Sequence, residues 1–215
     1  MTEPYYSDEL VTLYHGDCRE IDAWTRAQTM VTDPPYGIDY RSGARRREGF
    51  ARAIEGDKDT ALRDQALMLW RYRTALMFGS WRVSRPHATK AVLVWDKGGA
   101  LGMGDLSLPW KIDHEEIHVI GSGFTGRRDS GSVLRFPPEQ AVGREHPHQK
   151  PLPLMTALIV KTVGTVADPF AGSGSTLVAA KRLGRRAIGV ELEERYCEIA
   201  AKRLAQGVLD FGAAS

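Results

Sequence analysis

The chain has 215 residues but only two cysteines, Cys18 and Cys197, and no Cys-x-x-Cys pair. That scarcity excludes a disulfide scaffold and reads as two reduced thiols in a cytoplasmic protein. Long apolar runs are missing. The run Ala157-Leu158-Ile159-Val160 is far too short to span a bilayer, so no membrane association is expected. Met1-Thr2-Glu3-Pro4 lacks a basic region and an apolar core, so no signal peptide is expected. Charge of one sign is not in excess. The formal net charge of +2 does not by itself argue for nucleic acid. Internal repeats, linkers and low-complexity segments are absent as well.

What is present is a globular composition, 42% hydrophobic and 26% charged. The length suits one sizeable α/β domain and not two comfortable ones. Short apolar runs predict strands over 10–14, 29–32, 91–95, 117–120, 133–136, 165–167 and 187–190. Helical patterns fall over 60–78, with Leu62, Ala66, Leu69 and Leu76 on the apolar face, and over 151–162, 177–183 and 193–206. Strands alternating with helices predict a doubly wound, mostly parallel sheet covered on both faces.

The densest signal is Asp168-Pro169-Phe170-Ala171-Gly172-Ser173-Gly174-Ser175-Thr176, between a predicted strand and a predicted helix. Glycines there expose backbone N–H groups at a helix N-terminus and let a ligand approach the main chain. Two phosphate motifs fail. A Walker loop needs Lys after its last Gly, where Ser175 stands. A dinucleotide fingerprint needs a third small residue, where Leu177 stands. An Asp at the strand end repels phosphate and suits a cationic ligand, such as one carrying an ammonium and a sulfonium. An ordinary strand-to-helix turn is the plain alternative.

A second loop, Asp33-Pro34-Pro35-Tyr36-Gly37, follows the strand at 29–32. Consecutive prolines forbid both helix and central strand and stiffen the backbone, which suits a loop that holds catalytic groups. Asp17 and Glu191 also fall at predicted strand ends. In open α/β sheets, ligands sit outside the carboxyl ends of strands at the switch point. The strand before Asp168 is therefore expected beside the strand before Asp33. Residues 41–52 carry Arg41, Arg45, Arg46, Arg47 and Arg52 against Glu48 alone. A solvated surface is the default for such a run.

Asp33-Pro34-Pro35-Tyr36 together with Asp168-Pro169-Phe170-Ala171-Gly172-Ser173-Gly174 resembles the DNA amino-methyltransferases. These methylate the exocyclic amine of adenine or cytosine with S-adenosylmethionine. The order, tetrapeptide first and glycine turn last, resembles the circularly permuted group called the beta class. His146-Pro147-His148-Gln149-Lys150-Pro151 resembles the segment before that group's glycine turn. His15-Gly16-Asp17-Cys18 resembles its upstream acidic motif, and Glu191 followed by Tyr196 the segment after the turn. The matches run from about residue 13 to 204.

The resemblance implies a Rossmann-like fold in a single methyltransferase domain and a set of roles. Asp33, Pro34, Pro35 and Tyr36 form the catalytic loop. Asp33 and the Pro34 carbonyl accept the amine hydrogens, and Tyr36 stacks on a flipped base. Asp17, Cys18, Lys150, Asp168, Pro169, Phe170, Gly172, Gly174, Ser175, Thr176 and Glu191 form the cofactor set. Arg41, Arg45, Arg46 and Arg47 become a clamp on DNA phosphates. Recognition is left to compact loops at 38–58, 97–113 and 121–131, and a homodimer is implied. Neither Cys18 nor Cys197 follows a proline, which rejects cytosine C5 chemistry. Asp at the first motif position favours adenine N6, with cytosine N4 as the alternative. The setting is a prokaryotic or phage-infected cell.

Rivals remain. His114-Glu115-Glu116-Ile117-His118 fits the His-Glu-x-x-His zinc pattern, but that pattern needs a helix and these residues run into a predicted strand, so no metal is expected. A nicotinamide dehydrogenase leaves the Asp33 loop unexplained. An RNA or protein methyltransferase shares related tetrapeptides. A non-catalytic DNA-binding module does not require the Asp33 carboxylate.

Overall fold

The computed structural model describes residues 2–38, 58–99, 107, 109–139 and 149–206. In chain order the strands are β1 (Tyr6–Ser7), β2 (Val11–His15), β3 (Thr29–Thr32), β4 (Ala75–Gly79), β5 (Thr89–Asp96), β6 (His114–Ile120), β7 (Val133–Arg135), β8 (Val166–Asp168) and β9 (Ala187–Glu191). The helices are α1 (Ala61–Leu69), α2 (Leu152–Ile159), α3 (Ser175–Arg182) and α4 (Glu194–Gln206). A short 3-10 turn spans Ala23–Arg26.

The strands form one sheet in the order β1-β2-β9-β8-β3-β4-β6-β5-β7. It is mostly parallel. β1 runs against β2, and β6 runs against both β4 and β5. The centre is built from β9, β8, β3 and β4, whose residues are almost all buried, as expected of strands covered on both faces. β8 lies parallel to β3, with Val166 opposite Thr29 and Ala167 opposite Met30. The expected adjacency of the strands before Asp168 and Asp33 is therefore present. From this pair the chain winds outward in opposite directions, β8 to β9 and β3 to β4, which makes it the switch point.

Helices α2, α3 and α4 cover one face, where Leu154, Leu158, Leu177, Ala179, Cys197, Ala200 and Leu204 pack on Val31, Val166 and Phe78. Helix α1 and the 3-10 turn cover the other. There Trp24 and Trp70, both fully buried, stack with ring centroids 5.8 Å apart. The two-faced burial of α3 and β8 fixes the direction in which the glycine turn between them opens.

One predicted element is corrected. The pattern over 60–78 predicts a single helix, yet α1 stops at Leu69 and Ala75–Gly79 is the buried strand β4. Arg71 and Tyr72 adopt left-handed φ of 55° and 50° and break the helix between them. Leu76 faces the sheet core, while Leu69 points outward at 44% exposure. A short apolar run such as Ala75-Leu76-Met77-Phe78 fits a helix and a buried strand equally by periodicity.

The stretch His114-Glu115-Glu116-Ile117-His118 lies in strand β6. Its two histidines stand about 13 Å apart along an extended chain. The zinc-protease geometry does not form.

Candidate active site

The two proline-bearing motifs meet at the switch point. Asp33 follows β3 directly and Asp168 ends β8. The Thr32 hydroxyl donates to Asp168 Oδ1 at 2.7 Å, and the Phe170 N–H donates to the same oxygen at 3.2 Å. Asp168 is 2% exposed, so its carboxylate is internal mortar between the two loops. Burial pushes its pKa up to about 6, against the hydrogen bonds from Thr176, Thr32 and Phe170.

Across the edge, Asp17, Glu191, Asp168 and Asp33 close four neighbouring strands, β2, β9, β8 and β3. Four strands span about 14 Å at the usual spacing. Glu191 Oε2 accepts the Gly172 N–H at 2.7 Å, and Oε1 accepts the Glu193 N–H at 2.8 Å. Burial raises its pKa, and those two N–H bonds act the other way. Asp17 is forked by Arg19 Nε at 2.9 and 3.0 Å, and this hydrogen bonding lowers its pKa. Cys18 is buried, and its thiol is pushed up to about 12 by that burial. It is an inert thiol, and its carbonyl accepts the Trp24 indole N–H at 2.9 Å.

The glycine turn is shaped from both sides. Gly174, at φ +80°, caps α3, and a Cβ there would lie 2.9 Å from Ala200 Cβ. Only glycine lets the turn close onto α4. Gly172, at φ +52°, is different: a Cβ there would meet nothing within 4 Å. That side of the turn faces open space. Arg203 reaches from α4 to the Ser173 carbonyl at 2.6 Å and fixes the turn from behind. Pro169, Ser175 and Thr176 are buried beneath it, and Phe170 is half-buried.

The Asp33 loop holds the largest departure from expectation. Asp33 Oδ1 accepts the Tyr36 hydroxyl at 2.7 Å, while Oδ2 pairs with Lys150 Nζ at 2.6 Å. Lys150 also pairs with Glu115 Oε2 at 3.0 Å, and Tyr36 Oη lies 2.9 Å from that same oxygen. Lys97 Nζ closes the group on Glu115 Oε1 at 2.6 Å. Burial opposes the charge on Lys150, but Asp33 and Glu115 beside it prevail and raise its pKa. Burial likewise opposes the Glu115 charge, and Lys150 and Lys97 hold its pKa down. Lys150, expected with the cofactor set, thus points at the Asp33 loop.

Glu115 was visible only as part of the zinc-like pattern. Its placement depends on β6 running antiparallel, which brings the start of that strand to the edge where its neighbours end. Alternation then sends Glu115 to the Lys150 side. Glu116 and His118 go to the other face, where Glu116 pairs with Arg85 at 2.7 Å. Thr32 was also missed, since a threonine inside a strand carries no signal of its own. Arg41, Arg45, Arg46 and Arg47 lie outside the described residues, as do His146, Pro147 and His148. Most of the 38–58 loop and part of the 97–113 loop lie outside them too.

A Rossmann-like sheet, a glycine turn open at Gly172 and a rigid acidic loop on the neighbouring strand define a group-transfer site of the methyltransferase class. Comparison with known proteins makes the class specific. A family model described as DNA methylase matches residues 110–202. "Putative methylase YubD" of Escherichia coli (strain K12) is 31% identical over 222 residues, covering 93% of each chain. The crystal structure of the M1.HpyAVI–SAM complex superposes with a TM-score of 0.67 at 23% identity, covering 91% of this chain and 100% of that one. PvuII DNA methyltransferase (cytosine-N4-specific) superposes with a TM-score of 0.65 at 14% identity, covering 94% of this chain and 89% of that one. The chain belongs to the N6/N4 DNA methylase family.

Proposed function

We propose that this chain transfers a methyl group from S-adenosylmethionine to the exocyclic N6 of adenine, in a base flipped out of a short DNA site. The observation that carries this reading is the Asp33 carboxylate, held on a double-proline loop directly beside the strand that bears the glycine turn.

The residues present fit the cofactor. Gly172 leaves open space above the turn, Asp17 and Glu191 offer acceptors for hydroxyl and amine groups, and the buried Asp168 holds the turn to the Asp33 loop. When bound, S-adenosylmethionine supplies an electrophilic methyl on a sulfonium. The chain's own task is to make a nucleophile of an aromatic amine whose lone pair is delocalised. Asp33 accepts one amine hydrogen and the Pro34 carbonyl the other, which favours a pyramidal nitrogen and directs its lone pair. The carboxylate also faces the positive charge that builds on nitrogen, a preorganised electrostatic aid. Positioning supplies much of the rest.

Around this centre, the loops at 38–58, 97–113 and 121–131 serve as the DNA-contacting region. Arg41, Arg45, Arg46 and Arg47 neutralise phosphates. The compact recognition region favours a homodimer. Among the described residues no helix is long and apolar enough to cross a membrane. The setting that belongs to this reading is work on DNA in the cytoplasm, in restriction–modification, phage or solitary regulatory roles.

The test is methylation-sensitive sequencing, with nucleoside mass spectrometry, of DNA from cells expressing the chain. N6-methyladenine in a short recurring site is the expected product. N4-methylcytosine would instead establish the cytosine alternative, and unmodified DNA would turn attention to RNA or protein.

A further inference from the structure

The ammonium of Lys150 occupies an unusual enclosure. It is 8% exposed and lies 2.6 Å from Asp33 Oδ2 and 3.0 Å from Glu115 Oε2. The rings of Phe78, Tyr36 and Trp95 surround it at 4.8, 5.7 and 5.8 Å from their centroids. Those rings come from three separate segments: β4, the Asp33 loop and β5. A lysine is a long, flexible cation that normally keeps its head in water. Here two carboxylates and three aromatic faces hold it against the acid that the proposed reaction uses.

We propose that Lys150 is a positioning residue for Asp33, serving the base side of the site, and that Glu115 shares its ammonium so that the Asp33 carboxylate is held in place with acceptor capacity left for the target amine. This rests on the methyl-transfer reading above and adds two residues to it.

The charges support a shared cation. Asp33, Glu115, Lys97 and Lys150 make two anions and two cations in one group, with the Tyr36 hydroxyl between the carboxylates. Glu115 is anchored from its far side by Lys97, so it stays in place if Lys150 moves. An incoming amine needs acceptor capacity on Asp33, and each carboxylate oxygen has two acceptor directions. Lys150 fills one on Oδ2. It can lean toward Glu115 without losing a partner, which leaves Asp33 open to the base. The groups facing Asp33 are Tyr36 on its own loop, Lys150 before α2, Glu115 on β6 with Lys97 behind it, and Asp168 on β8. Removing the Lys150 charge leaves three acids and a phenol around a single distant lysine. The carboxylate of Asp33 then loses its nearest cation and the contact that fixes its orientation.

The decisive experiment compares Lys150→Met and Lys150→Arg with the wild-type enzyme, measuring kcat and KM for methyl transfer to duplex DNA and S-adenosylmethionine binding by calorimetry. Lys150→Met should lower kcat about 100-fold. The KM for DNA and the cofactor affinity should be unchanged, and Lys150→Arg should recover most of kcat. A Lys150→Met variant with weakened cofactor binding and an unchanged kcat overturns the proposal and returns Lys150 to the cofactor set. If Lys150→Met does not fold, Glu115→Gln carries the test. With Glu115 neutral the ammonium is held by Asp33 alone and stays on its oxygen, so kcat should fall about tenfold with the KM for DNA unchanged, and an unchanged kcat overturns the proposal. A wild-type enzyme that binds cofactor yet methylates no DNA removes the methyl-transfer reading and this one together. An active wild type beside a variant of unchanged kcat removes this one alone.

Discussion

The Thr32 hydroxyl donates to Asp168 Oδ1 at 2.7 Å, joining residues 136 positions apart in the chain. Both are fully or almost fully buried. This bond ties the last residue of β3 to the last residue of β8, and so fixes the Asp33 loop relative to the glycine turn. Thr32→Val keeps the shape of the side chain and leaves Asp168 one donor short. The expected loss is about 1–3 kcal/mol of stability. Urea denaturation measures that loss, and a variant as stable as wild type would show the bond to be incidental.

Asp168 also predicts a pH dependence. Burial lifts its pKa to about 6 from an ordinary value of 3.8. The folded chain therefore holds this proton more tightly than the unfolded chain does. The stabilising contribution is complete below pH 3.8 and is lost as pH rises through about 6. Glu191, raised in the same sense by burial, adds to the trend. Asp168→Asn should flatten the fall in stability across that window. Equal slopes for the variant and the wild type would contradict the assignment.

Asp33→Ala should reduce methyl transfer by about a thousandfold or more. Cofactor binding should survive, because the side chain's contacts are with Tyr36 and Lys150 and not with the glycine turn. Single-turnover assays with labelled cofactor separate the two effects. Retained activity would remove Asp33 from the catalytic role.

Tyr36→Phe leaves the ring and deletes a hydroxyl that lies 2.7 Å from Asp33 and 2.9 Å from Glu115. One hydroxyl proton serves only one carboxylate at a time, and Lys150, 3.2 Å from Tyr36 Oη, supplies a second donor to the group. Loss of a hydrogen bond to a charged partner predicts a fall in kcat of about tenfold. The KM for DNA should hold, since the ring proposed to stack on the base is kept. A raised KM with unchanged kcat would assign the hydroxyl to binding instead.

The two turn glycines should fail in different ways. Gly174→Ala forces a methyl to 2.9 Å from Ala200 Cβ, at a left-handed φ. It should lower stability by about 2–3 kcal/mol. Gly172→Ala pays only the left-handed conformation, about 1–2 kcal/mol, because its Cβ meets open space. That space is where a cofactor would approach, so affinity for S-adenosylmethionine should fall about tenfold, equal to 1.4 kcal/mol. Thermal melts and calorimetry on both variants check the contrast. A Gly172→Ala chain with wild-type affinity would place the cofactor elsewhere.

The features legible in the sequence are those whose cause is local. Paired prolines stiffen the loop after Asp33 wherever that loop lies, and left-handed glycines make the turn after Asp168 possible. Apolar runs between helical patterns predicted the alternation that builds the sheet, and strand-end acids pointed to its ligand edge. One non-local feature, the adjacency of β3 and β8, was also legible, because the two motifs must share the switch point; elsewhere, where the cause is non-local, the sequence was silent or misleading. The boundary between α1 and β4 fell inside one apolar pattern, because burial in a sheet and burial on a helix select the same residues.

Residue identity and spacing determined by themselves which chemical groups this protein owns: an acid on a rigid loop, a ligand-accessible turn and the order in which the chain presents them. Only the tertiary structure decided which groups meet. β6 enters the sheet antiparallel, and that places Glu115 at the edge where the parallel strands end, beside Lys150 and Asp33. The pairing of β3 with β8 puts Thr32 onto Asp168. Local backbone preferences act over a few residues, whereas strand order follows from burying both faces of a whole sheet at once.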